Sequence, residues 1–259
     1  MAQRVSPSEL IERLDRALGG CSQRGIIATD GDGTLWRGDI GNELFLAALR
    51  EGAFRVAARE PLLAEATAHQ IAVDAAADAN AIAQRLFEAL LAGDYDEERA
   101  FGMMAWVFAG WTVGELADHC RRVLDEMRFE EAVLDELRPV LAWARKRDVP
   151  VWLVTASPLA IAAEAARRLG IATERVVAME PALAGDVVEP RLARRATYGA
   201  GKLARLKEET DAPLLAAFGD SGYDATMLRA AEIPVAVFPN SQLRALAPQL
   251  PGLVVVGDR

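Results

Sequence analysis

"IIATDGDGTLW", residues 26–36, ends an apolar run with two carboxylates two positions apart, set between glycines. The apolar part, Gly25 to Asp30, has the length and β-branched character of a buried strand, and Gly-Asp-Gly is turn chemistry that stops it. Side chains two apart in an extended chain share a side, so Asp30 and Asp32 are expected to face one pocket. Glycines beside them let another group approach the backbone closely.

Beyond this strand the pattern changes. From Asn42 to about Lys146 the chain is rich in Ala, Leu, Glu and Arg, with apolar positions at helical spacing. Asp94-Tyr-Asp-Glu97 and Thr112-Val-Gly-Glu115 both have capping-box spacing, which predicts two helix starts. From Val149 the pattern changes again to strand and helix in turn. Strands are expected at 149–155, 175–179, 213–218, 233–238 and 253–256, with helices near 158–169, 202–209 and 223–231. Residues 180–190, "EPALAGDVVEP", read as a small turn or hairpin on the edge. Such alternation implies right-handed crossovers and a mostly parallel sheet covered by helices on both faces. The expected architecture is an α/β, Rossmann-like core formed by residues 1–38 and 147–259. An all-helical block, 39–146, is inserted after its first strand.

With 259 residues, 52% of them apolar, the chain can bury a substantial core. A formal net charge of -9 without any Lys/Arg-dense run argues against a nucleic-acid partner, which needs a clustered basic face. The start carries charges every few residues, and nothing later runs 18 residues without one. Neither a secretory signal nor a membrane partner is expected from this pattern, and a cytoplasmic location is. Cys21 and Cys120 suggest neither a disulfide framework nor a thiolate metal cage and are expected as small buried residues. A homodimer is left open.

In open parallel sheets, ligands bind beyond the carboxyl ends of the strands. There the sequence places Asp30, Asp32 and Thr34 after the first strand, and Thr155, Ala156 and Ser157 at the end of "VPVWLVTASP". Asp220 follows "PLLAAFG", with Asp224 four residues later, and Lys202 sits at a helix start in "YGAGKLARL". Ser157 and Pro158 also suit a helix cap and first turn. Several carboxylates on one rim repel one another unless a cation holds them, and oxygen-only ligands with room for water and phosphate select magnesium. Lysine and hydroxyl donors add what phosphoryl transfer requires.

These residues, in this order, resemble the four motifs of haloacid dehalogenase superfamily hydrolases, in the phosphoserine-phosphatase-like branch. Asp30-Gly-Asp32-Gly-Thr34 resembles the first motif, Thr155 the second, Lys202 the third and Gly219-Asp220-Ser-Gly-Tyr-Asp224 the fourth. The resemblance implies a Mg2+-dependent hydrolase of a small phosphomonoester. In it Asp30 attacks phosphorus to form an aspartyl-phosphate, and Asp32 acts as acid and then base. Magnesium would be held by the Asp30 carboxylate, the Asp32 carbonyl oxygen and Asp220. Thr155 and Lys202 would bind phosphoryl oxygens, Thr34 and Ala156 would lie on the substrate, and Asp224 would orient Lys202 or a metal-bound water. The helical block stands where that branch places its cap.

Asp39 falls where phosphoserine phosphatases place an acid that meets the substrate's amino group, although Glu is usual there. No counterpart of their carboxylate-binding arginine is found, Arg99 being near but out of register. Phe101, Trp106, Phe108 and Trp111, with Trp36, read first as cap core and secondly as an aromatic wall for a cationic or apolar leaving group such as an amino alcohol.

Rival readings are weaker. A calcium loop fails because its sixth and twelfth positions hold Leu35 and Gly41. Gly219-Asp-Ser221-Gly222 echoes a serine protease, but His119 lies in an amphipathic helical pattern rather than an all-β fold. Two readings stay open: a phosphotransferase or mutase of the same superfamily, and an inactive domain of the same fold that only binds.

Overall fold

The computed structural model describes residues 3–20 and 25–257; Cys21 lies outside the described residues. In chain order the elements begin with strand β1 (Gln3–Arg4), helix α1 (Pro7–Gly20) and strand β2 (Ile26–Thr29). Seven helices follow: α2 (Ile40–Arg50), α3 (Val56–Ala68), α4 (Ala79–Ala92), α5 (Glu97–Trp106), α6 (Val113–Glu126), α7 (Phe129–Ala132) and α8 (Arg138–Lys146). Then come β3 (Val151–Pro158), α9 (Leu159–Leu169), β4 (Val176–Met179), β5 (Pro181–Ala184), β6 (Val187–Leu192) and α10 (Ala200–Glu209). The chain continues through β7 (Leu214–Gly219), α11 (Ala225–Arg229), β8 (Ile233–Val237), α12 (Ser241–Leu246) and β9 (Val254–Val256).

Seven strands form one sheet in the order β1-β9-β8-β7-β2-β3-β4. Every neighbouring pair in it is parallel. The central strand β2 is Ile-Ile-Ala-Thr and buried throughout, as a strand covered on both faces must be. Its alternate residues serve two cores: Ile27 packs with Leu153, Ala216 and Phe218 on one face. Ile26 and Ala28 pack with Val154, Ala217, Met227 and Leu243 on the other. From β2 the chain steps through β3 and β4 to one edge, then returns to β7 and runs through β8 to β9, which β1 covers as the other edge. The order reverses at β2, so the carboxyl ends of β2, β3 and β7 adjoin at the switch point where such folds bind ligands.

The edge strand β1 and the helix α1 were not anticipated. Leu10 and Leu14, one turn apart and fully buried, fix α1 against the sheet. Trp143 Nε1 of α8 donates to Asp15 Oδ1 of α1 at 2.9 Å. The helical block has its own aromatic interior, where Phe54 and Phe108 stand 5.7 Å apart and Phe108 and Trp111 5.5 Å.

Two expectations for this region need correction. The segment 180–190 does form a hairpin, β5 with β6, but as a separate two-stranded sheet rather than an edge of the main one. It pairs instead with the helical block: Gly110 N donates to Val188 O and Val113 N to Asp186 O, at 2.9 and 2.8 Å. Thr112 and Glu115 form the expected capping box. Asp94 does not cap α5, because Tyr95 is drawn inward to donate to Glu65 at 2.9 Å and the helix starts two residues later. Asp96 is the cap, accepting from Arg99 N at 3.0 Å. Accordingly Asp96→Ala is expected to lower the urea unfolding free energy by about 1 kcal/mol, and Asp94→Ala by less than about 0.5.

Candidate active site

Three strand ends deliver the chemistry. β2 runs out at Thr29, and Asp30 N continues the ladder by donating to Phe218 O of β7 at 3.0 Å. The next residues coil into a tight turn, with Gly33 N donating to Trp36 O at 2.8 Å and Leu35 N to Gly31 O at 2.8 Å. Gly33 has φ +75, and a Cβ there would come within 2.6 Å of Asp220 Oδ2. Only glycine both adopts this conformation and leaves room for that carboxylate.

Lys202, in the first turn of α10, reaches into this rim and is almost wholly buried. Its ammonium donates to Asp30 Oδ1 at 2.7 Å and to Asp224 Oδ1 at 2.6 Å. Asp224 itself is fully buried. Its Oδ2 accepts from Ser221 N and Ser221 Oγ, both at 3.0 Å, and from Asp220 N at 3.2 Å. Asp224 thus ties the loop after β7 to the lysine.

One carboxylate oxygen each from Asp30, Asp220 and Asp224 lie within 4.8 Å of one another. One ammonium cannot neutralise this set. Burial pushes the Asp30 carboxyl well above the usual carboxylate range; Lys202 opposes the rise, while Asp224 and Asp32 add to it. Burial acts on Lys202 in the opposite sense, but Asp224 and Asp30 outweigh it and hold the ammonium above the usual lysine value. The excess of negative charge calls for a cation. Because the donors are all oxygen and only three in number, a hard ion that keeps water and phosphate ligands fits them, which is the character of magnesium.

Asp32 sits beside this cluster in a different environment. Its Oδ1 accepts from Trp36 Nε1 and from Ile40 N at the start of α2, each at 2.8 Å. Its Oδ2 accepts from Ser157 Oγ at 2.7 Å and Thr155 Oγ1 at 3.3 Å. At the rim of the sheet, Ser157 also suits a helix cap by its sequence position. It is not one: α9 begins at Leu159 with Pro158 before it and no side-chain cap, because the Ser157 hydroxyl is spent on Asp32. A Cβ at Gly41 would come within 2.9 Å of that hydroxyl, so the bare backbone of α2 is what lets the end of β3 reach Asp32.

Of the residues singled out in the sequence, Asp30, Asp32, Asp39, Thr155, Ala156, Lys202 and Asp220 all line one cavity of about 410 Å3. Thr34 and Asp224 stand behind it, fully buried, Thr34 with its hydroxyl 3.4 Å from Asp30 Oδ2. Asp39 caps α2, accepting from Asn42 N at 2.8 Å. Burial, with Asp32 nearby, pushes its carboxyl up to about 7 against the pull of the Asn42 and Gly41 amides. Of the aromatic residues proposed as a wall, Phe101 alone lines the cavity; Phe108 and Trp111 pack inside the helical block and Trp36 braces Asp32. The aromatic lining comes instead from Phe87, Phe101, Tyr198 and Tyr223. The two tyrosines were missed because they flank Lys202 and Asp220 in loops, where no periodicity marks a side chain's direction.

Comparison with known proteins agrees with this geometry. The family model for haloacid dehalogenase-like hydrolases matches residues 27–229. Phosphoserine phosphatase SerB1 of Mycobacterium tuberculosis is 29% identical over 143 residues, covering 53% of this chain and 46% of that protein. The chain thus spans about half the length of the curated relatives it matches. Among solved structures, a Bordetella pertussis protein of unknown function superposes with a TM-score of 0.71 at 21% identity, covering 91% of this chain and 99% of that one. A substrate-bound phosphoserine phosphatase superposes with a TM-score of 0.52 at 11% identity, covering 90% and 94%. At such identities the structures establish the fold alone. The family match covers most of the chain and includes all four motif segments: the protein belongs to the haloacid dehalogenase-like hydrolase family.

Proposed function

We propose that the chain is a magnesium-dependent phosphomonoester hydrolase acting on a small phosphorylated metabolite through an aspartyl-phosphate on Asp30. The single observation that supports this most is the buried Asp30–Lys202–Asp224 arrangement at the switch point of the sheet, with Asp32 held separately beside it.

Asp30 is the nucleophile in this reading. Lys202 engages Oδ1, which leaves Oδ2 as the attacking atom, touched only by the long contact from Thr34. Magnesium, when bound by the Asp30 and Asp220 carboxylates and the Asp32 carbonyl oxygen, supplies charge neutralisation for the phosphoryl oxygens. Lys202 and Thr155 offer further donors to those oxygens, and the amino end of α9, whose approach lines the cavity at Ala156 and Pro158, favours anionic groups.

Asp32 serves as general acid and then base, and its two oxygens are unequal. Oδ1 is fixed by two N–H donors that cannot reverse. Oδ2 is held by two hydroxyls, which can turn to accept, so Oδ2 is the oxygen able to carry a proton to the leaving alcohol. Ser157→Ala removes the shorter of these contacts. It is expected to lower kcat about 10- to 100-fold with little change in KM, as loss of a transition-state contribution does. Steady-state kinetics with magnesium on an alkyl phosphomonoester, whose alkoxide needs a proton to leave, checks this, and phosphate release from 4-nitrophenyl phosphate checks the proposal itself, which its absence would refute.

The helical block acts as the cap in this reading, its helices α4 and α5 walling the cavity with Leu91 and Phe101. Tyr198 OH donates to Glu97 Oε2 at 2.5 Å and so joins core to block at the rim. Among the described residues no helix is long and apolar enough to cross a membrane.

A further inference from the structure

The phosphoryl end of the cavity leaves open which alcohol is esterified, and the remaining lining bears on it. Lys202 is the one cation among the described lining residues, and it is already committed to Asp30 and Asp224. Arg99, on the same helix as Phe101, is turned away: it grips Glu65 with Nε at 3.0 Å and Nη2 at 2.8 Å. A leaving group that carries a carboxylate would therefore enter without a positive partner.

It would also meet two acidic side chains. Asp39 and Glu97 both line the cavity, on α2's cap and at the start of α5. Glu97 is set on a ring stack: its partner Tyr198 lies 4.5 Å from Tyr223 and 5.8 Å from Phe101, centroid to centroid. Burial and Glu97 keep the Tyr198 phenol far above its usual value, so it stays a donor to Glu97. Aromatic faces and carboxylates together attract an ammonium group and repel an anion. Leu91, exposed although it is a large aliphatic, and Met104 supply apolar surface for a carbon skeleton.

We propose that the leaving-group end of this cavity selects a cationic alcohol, so that the substrate is the phosphate monoester of an amino alcohol rather than of a hydroxy acid. This rests on the phosphomonoester hydrolase reading above and adds Glu97 as a specificity-determining residue. The step is unchanged: the P–O bond to the amino alcohol breaks as the bond to Asp30 forms, Asp32 protonates the departing oxygen, and water then cleaves the aspartyl-phosphate.

The test compares O-phosphoethanolamine with O-phosphoserine, which differ by one carboxylate, and with glycerol 3-phosphate, which lacks the ammonium, all with magnesium. The expected kcat/KM for O-phosphoethanolamine exceeds both others by at least about tenfold. Glu97→Gln is expected to reduce that preference about fivefold, and Glu97→Arg to cancel or reverse it in favour of O-phosphoserine. Glu97 is exposed, so thermal melting verifies that both variants fold. O-Phosphoserine turned over as well as O-phosphoethanolamine, or a preference that Glu97→Arg leaves in place, would overturn the inference. 4-Nitrophenyl phosphate run alongside separates the failures. Hydrolysis of the aryl ester without the preference refutes this inference alone; no hydrolysis of any ester refutes the hydrolase reading and this with it.

Discussion

Asp30→Asn is expected to abolish magnesium-dependent phosphate release, by at least about ten-thousandfold in kcat, while leaving the protein as stable as the native chain or more so. The two outcomes have one cause. Asp30 is buried in contact with Lys202 and within reach of Asp220 and Asp224, and burial with its carboxylate neighbours already pushes its carboxyl upward. An amide of the same shape removes one member of that crowded set, and Lys202 keeps Asp224 at 2.6 Å. What is lost is the nucleophile and one metal ligand. The melting temperature without metal should therefore hold or rise, and its increase on adding magnesium should shrink, because a ligand that binds less tightly stabilises less. A variant that melts well below the native protein would mean that Asp30 is there to balance Lys202, not to react.

The order of strand ends was legible because it depends on local signals. A β-branched run stopped by Gly-Asp-Gly at 31–33, a strand ending at Thr155 and another ending before Asp220 need only a parallel sheet to be brought together. What was not legible depends on tertiary contacts. Ser157 has the composition of a helix cap, and only the approach of Gly41 to its hydroxyl shows that Asp32 claims it. Asp94 and Asp96 are both possible caps of α5, and the burial of Tyr95 against Glu65 decides between them. The helix α1 was readable from local signals as well, since Ser6 and Glu9 form a capping box before Leu10 and Leu14. Tyr198 and Tyr223 carry no pattern of their own; they reach the cavity because the loops before α10 and after β7 meet there.

Lys202→Met tests the electrostatic premise from the other side. The methionine keeps the volume of the buried stem and removes the charge. It leaves Asp30 and Asp224, one almost wholly and one wholly buried, facing each other with no ammonium between them. Removing one partner of a buried pair costs about 3–5 kcal/mol because the other charge remains without compensation. Here two carboxylates remain, so the loss in unfolding free energy is expected at the upper end of that range, with catalysis reduced to background. Adding Asp224→Asn to Lys202→Met removes one of the two stranded charges and is expected to recover about 2 kcal/mol, without restoring turnover. The recovery is the informative quantity, since independent sites would lose stability additively and only residues sharing one charge balance can gain it back. If the double variant is less stable than Lys202→Met alone, Asp224 contributes chiefly through its bonds to Ser221 and the Asp220 amide, and the lysine is not what keeps the carboxylates together.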